Sequence, residues 1–235
     1  MKFLIHIDSK YGEIIDGLAN ALRSNGHQAL FFHNNVYRVF EEQAPDYLII
    51  SLEAKNLPEI SQFLQKRQPP HLEINSYNLT CPNQNVLNLA GFANTIKYKP
   101  QLTQQDFAGD ICVVNDGTKP VEIMSFYERH HKDYKIKIIG HFINSPGFIG
   151  AASPEDMVKI AKSSRVTLSH DTIIRNSLIY NNICCCSKED EVLDFLNRDK
   201  KEIEQFILAE KRKLITEYKL GQLIIEELSN ITRQS

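Results

Sequence analysis

Residues 110–141, DICVVNDGTKPVEIMSFYERHHKDYKIKIIGH, decide the fold of this 235-residue chain. The apolar run Asp110–Asn115 predicts a strand that stops at a glycine-containing turn, Pro120–His131 reads as a helix, and Lys135–Gly140 as a second strand. A strand–helix–strand unit implies parallel strands with the helix packed on a sheet face.

Downstream the series continues. The irregular loop Asn144–Gly150 has room for a short strand. Ser153-Pro154-Glu155-Asp156 then starts a helix with a Ser cap, Pro at the first helical position and an acidic residue three positions on. Arg165–Ser169 reads as a strand, Ile173–Asn181 as a helix, Ile183–Cys186 as a strand and Glu189–Leu196 as a short helix. Residues 201–230 are mainly helical, with Ile203, Phe206, Ile207, Leu214, Tyr218, Leu223, Ile224 and Leu228 inward. A final helix of this kind fits packing across both halves or pairing with a second copy in a homodimer, and the sequence does not choose between them.

The same alternation runs upstream. Strands are expected at Lys2–Ile7, Gln28–Phe32, Asp46–Ser51 and Leu72–Ser76, and helices at Gly12–Asn25, Val36–Gln43 and Leu57–Lys66. Residues 77–109 lose the period and collect Asn, Pro, Gln and Gly, which marks a connection. The expected fold is therefore α/β: two Rossmann-like lobes with parallel sheets, 1–100 and 101–235, the second carrying a long C-terminal helix.

Composition excludes several functions. With 27 basic and 29 acidic residues there is no global field to collect nucleic acid or an anionic membrane. The apolar start, MKFLIHI, is too short for a secretory or membrane-spanning segment, so a cytoplasmic location is expected. The five cysteines form no CxxC pair and have no histidine at ligand spacing. Successive residues of a strand point to opposite faces, so Cys184, Cys185 and Cys186 read as small buried hydrophobes rather than a metal site.

The order of features over residues 108–230 resembles the C-terminal half of GT-B glycosyltransferases, especially the spore-maturation type. It runs DICVVNDGTKP, YKIKIIGH, SPEDMVKIAKSSRVTLSHD, IIRNSLIYNNICCC and KEDEVLDFL. The first half fits the acceptor lobe by architecture. The resemblance implies sugar transfer from a nucleotide-sugar, bound as substrate between the lobes, to an unidentified acceptor, with no metal and no other cofactor. It also exposes departures. Ser177 stands where that family has a glutamate holding the donor ribose, Asn182 stands where it has a glycine, and the N-terminal glycine-rich loop is missing. These departures point to a minimal transferase or to a relative that has lost catalysis and only binds a nucleotide or a partner. A third reading is a different two-lobed α/β binding module.

In an open α/β sheet a ligand sits outside the carboxyl ends of the strands. That rule selects Asn115–Lys119, with Gly117 and Lys119 as donor-binding candidates, then Gly140 and His141, then Ser169–Thr172, with Ser169 and His170. Arg175 and Lys119 are the phosphate candidates, Arg175 because a cation at a helix start is unfavourable unless an anion joins it. Ser177 is kept as a weaker ribose contact. In the first half, Asp8 and His33 follow the first two strands and are the candidate catalytic bases, Asp8 being equally suited to cap the first helix.

Overall fold

The computed structural model describes residues 1–7, 12–75, 86–89, 91–95, 97–99, 101 and 108–234. The chain divides into two units, Met1–Phe92 with Ile215–Ser235, and Ala93–Leu214.

The first unit runs β1 (Lys2–His6), α1 (Gly12–Ser24), β2 (Gln28–Phe32), α2 (Val36–Gln43), β3 (Tyr47–Ser51), α3 (Pro58–Arg67), β4 (His71–Asn75) and β5 (Val86–Asn88). Its strands form one parallel sheet in the order β2-β1-β3-β4-β5. β1 and β3 are buried on both faces, which is why they read as continuous apolar runs rather than alternating ones. Leu4, Leu48, Ile50, Ile60 and Phe63 form a core under α2 and α3. β5 lies inside the stretch read as a connection, where three residues are too few to give a periodic signal.

The second unit runs β6 (Gly109–Asn115), α4 (Pro120–His130), β7 (Ile136–Gly140), β8 (Phe148–Gly150), α5 (Pro154–Lys162), β9 (Ser164–Ser169), α6 (Thr172–Tyr180), β10 (Cys185–Cys186), α7 (Glu189–Asn197) and α8 (Lys200–Lys211). Its parallel sheet has the order β10-β9-β6-β7-β8. Capping is as the sequence implies: Ser153 Oγ accepts from the Asp156 N–H at 3.1 Å, with Pro154 at the first helical position. The four described cysteines are free and buried. Cys112 and Cys185 join the core on one face, Cys184 and Cys186 the core on the other. Burial pushes the Cys112 thiol up to about 12, so it is inert as a nucleophile.

The expected single helical tail is two helices. α8 opens on a capping box between Asp199 and Glu202 and stops at Lys211; α9 (Glu217–Gln234) follows. Between them Ile215 N–H donates to the Gly91 carbonyl at 2.8 Å, so the returning chain runs beside the outgoing one. α9 then packs on α1. A side chain at Gly221 would meet the Ala21 carbonyl at 3.1 Å, so its absence lets the two helices approach closely. The boundary expected at residue 100 therefore falls at Phe92. The terminal helix, expected with the second lobe, belongs to the first unit because its apolar positions Leu220, Ile224 and Leu228 are buried there. Among the described residues no helix is long and apolar enough to cross a membrane.

Candidate functional site

In the second sheet the chain leaves β6 towards β7 on one side and returns to β9 on the other. The strand order therefore reverses between β6 and β9. A crevice outside the carboxyl ends of two such strands is where α/β sheets hold ligands. The turns that line it are Asp116–Lys119 after β6 and Ser169–Asp171 after β9.

Asn115, the last residue of β6, organises the first turn from a buried position. Its Oδ1 accepts from the Gly117 N–H at 3.0 Å, and its Nδ2 donates to the His141 carbonyl at 2.9 Å. Its own carbonyl accepts from the His141 N–H at 2.8 Å. Gly140 is required beside it: φ is 109°, and an added Cβ would stand 2.3 Å from the Asn115 carbonyl oxygen. Asp116 closes an Asx turn, its Oδ1 accepting from the Thr118 N–H at 2.9 Å and the Thr118 hydroxyl at 2.7 Å. His141 is exposed, and its ring lies 3.3 Å from the point where a Gly117 Cβ would be.

Lys119 is the N-cap residue of α4. No side chain caps this helix, and Pro120 occupies its first position. Lys119 Nζ rests 3.0 Å from Glu122 Oε2. The next helix start differs. Asp171 caps α6, its Oδ1 accepting from the Ile174 N–H at 2.7 Å. Burial raises the Asp171 pKa, the Ile174 N–H opposes that rise, and the charge of Asp116 adds to it. The positive end of α6 thus already holds its own capping carboxylate, whereas α4 has no side-chain cap and carries Glu122, paired with Lys119, in its first turn.

Ser169 is buried, its hydroxyl donating to the Asp171 carbonyl at 3.3 Å. His170 Nδ1 lies 3.1 Å from the Ser187 carbonyl. A carbonyl only accepts, so Nδ1 carries the proton and the lone pair of the neutral ring is on Nε2, 4.0 Å from Glu122 Oε2. Arg175 is half-buried in α6, and its charge reaches Cys185, opposing the burial-driven rise of that thiol. Ser177 is fully buried. Its hydroxyl donates to the Ile173 carbonyl at 2.6 Å and accepts from the Asn94 N–H at 2.9 Å. Asn182 ends α6 at φ 62°, the left-handed conformation a glycine would supply.

Lys119 and His170 also border a cavity of ≈ 460 Å³ between α4 and α7, floored by Phe126 and Leu168. Arg129 also lines it and holds Glu189 through Nε at 3.3 Å and Nη2 at 2.5 Å, while His130 Nε2 adds a contact at 2.8 Å. Sequence reading missed this wall, because Arg129 and Glu189 stand 60 residues apart.

In the first unit the strand order reverses between β1 and β3. His33 follows β2 and is exposed, and its Nδ1 donates to the Ile7 carbonyl at 3.2 Å. That contact leaves Nε2 as the basic nitrogen of the neutral ring. His33 stacks on the buried His6 at 6.3 Å between ring centroids. Asp8, the other candidate base, lies outside the described residues. A further ionised cluster went unread in the sequence: buried Glu73 pairs with Lys55 at 2.5 Å, with His71 Nε2 at 3.6 Å.

No protein-family model and no curated relative matches the chain. Solved structures do. The glycosyltransferase SsfS6 of Streptomyces sp. SF2575, complexed with thymidine diphosphate, aligns over 96% of this chain and 99% of its own at 12% identity and TM-score 0.53. MnaA of S. aureus with UDP aligns over 99% and 96% at 10% identity and TM-score 0.56. The UDP-GlcNAc 2-epimerase of Neisseria meningitidis bound to UDP-GlcNAc aligns over 98% and 100% at 10% identity and TM-score 0.50. At this identity the likeness shows the fold: two Rossmann-like units of the GT-B type.

Proposed function

We propose that the chain binds a nucleotide-sugar at the carboxyl ends of β6 and β9 and transfers its sugar to an acceptor hydroxyl, as a glycosyltransferase of the spore-maturation type. The observation that carries this reading is the contrast between two helix starts: α6 is closed by its own Asp171, while α4 offers an uncapped N-terminus beside the Thr118 hydroxyl and Lys119. An uncapped helix start with an adjacent cation suits a diphosphate, both when bound and when it departs with the negative charge of the broken glycosidic bond. Lys119 would exchange Glu122 for a phosphate oxygen, and His170 Nε2, once protonated, would donate to the same group. In the first unit His33, with its tautomer set by the Ile7 carbonyl, is the candidate base.

One observation favours a second reading, a nucleotide binder without turnover. The Ser177 hydroxyl is buried, donating to Ile173 and accepting from Asn94, so it supplies no substitute for a ribose-holding carboxylate. Calorimetric titration of the full chain with UDP and TDP, paired with a hydrolysis assay on UDP- and TDP-linked sugars, decides between them. Saturable binding with slow donor hydrolysis supports the transferase, and binding without hydrolysis supports the second reading. Absence of binding by any nucleotide overturns both.

A further inference from the structure

We infer that Asn115 is a positioning residue that makes the β6 and β7 turns one rigid ligand-facing piece and sets the His141 ring over the Gly117 turn. The inference deepens the nucleotide reading and rests on it. The amide has one possible orientation, because one end faces an N–H and the other a carbonyl: Oδ1 must accept from Gly117 and Nδ2 must donate to His141. With the bond from the His141 N–H to the Asn115 carbonyl, His141 is held at both its backbone N–H and its carbonyl by a single residue.

The neighbouring residues follow from this arrangement. Gly140 carries no side chain, so its backbone passes against the Asn115 carbonyl. Gly117 carries none where the His141 ring packs. The ring is therefore presented from a fixed backbone at the mouth of the β6 turn, next to the proposed diphosphate position at Thr118 and Lys119. A base or sugar ring of the ligand would meet that imidazole face. Asn115 itself is buried and reaches the ligand only through His141 and the Gly117 turn.

The isosteric change Asn115→Asp keeps the acceptor for Gly117 and replaces the donor to His141 with an oxygen that repels its carbonyl. The test is a double-mutant cycle by calorimetry with UDP and TDP on the wild-type chain, Asn115→Asp, His141→Ala and the double variant. Thermal unfolding of each is recorded to confirm a folded chain. Coupling through His141 predicts that Asn115→Asp weakens binding about tenfold in the wild-type background and less than about twofold in the His141→Ala background. Equal losses in both backgrounds overturn the inference, because Asn115 would then act on the site without His141. If the wild-type chain binds neither nucleotide, the donor reading fails on its own. The positioning role is then read from the His141 ring cross-peak in a carbon–proton correlation spectrum. A peak displaced in Asn115→Asp towards that of a mobile histidine supports the role, and an unmoved peak overturns it.

Discussion

Placing a carboxylate at Ser177 should destabilise the protein rather than create a sugar-binding contact. Ser177 is at 0% exposure and its hydroxyl makes two hydrogen bonds, to the Ile173 carbonyl and from the Asn94 N–H. Ser177→Ala loses both and leaves a buried backbone N–H without an acceptor, a cost of about 1–3 kcal/mol. Ser177→Glu adds overpacking of about 1–3 kcal/mol and the desolvation of an unpaired charge, itself several kcal/mol. The combined loss of at least about 4 kcal/mol is a large share of the roughly 5–15 kcal/mol that holds a domain folded. Urea unfolding of the wild type, Ser177→Ala and Ser177→Glu measures the series, which should fall in that order. A Ser177→Glu variant as stable as the wild type, with tightened UDP binding, would refute the assignment of Ser177 to packing and revive a ribose contact.

Three further outcomes follow from the same structure. Gly140→Ala forces a Cβ against the Asn115 carbonyl at a positive φ, and denaturant unfolding should show a loss of about 2 kcal/mol or more. The contact of His71 with Glu73 raises the His71 pKa; stability from this pair is fully present below the ordinary histidine value and is lost as pH rises through the folded value. Melting temperatures across that window should therefore decline for the wild type and decline less for Glu73→Gln. Lys119→Ala, at an exposed i,i+3 pair, should change the melting temperature little but weaken UDP binding by about 1.5–3 kcal/mol, the range for a hydrogen bond to a charged group.

Much of the fold is legible in local sequence. Continuous apolar runs such as DICVVN and RVTLS mark strands buried on both faces, and Ser153-Pro154 marks a helix start before any contact is known. What local pattern misses depends on distant partners. β5 is a three-residue strand that exists because β4 lies beside it. The break between α8 and α9 is set by a pairing of Ile215 with Phe92 that no local period records. The candidate site divides in the same way. The turn residues Gly117, Lys119, His141 and His170 are found because they follow strands. The burial of Ser177 depends on Asn94, 83 residues away, and the cavity wall on an Arg129–Glu189 pair. Asn182 shows that asparagine can hold the left-handed conformation a glycine would supply, since it adopts that region more readily than most residues.

The proposed site receives a nucleoside diphosphate at the β6 turn and the start of α4. It is tested most directly by mapping amide chemical-shift changes in the isotope-labelled full chain on titration with UDP or TDP. Saturable shifts concentrated at Gly117, Thr118, Val121 and Glu122, extending to His141 and His170, are expected. Saturable shifts confined to other surfaces, or spectra unchanged at millimolar nucleotide, would contradict this placement.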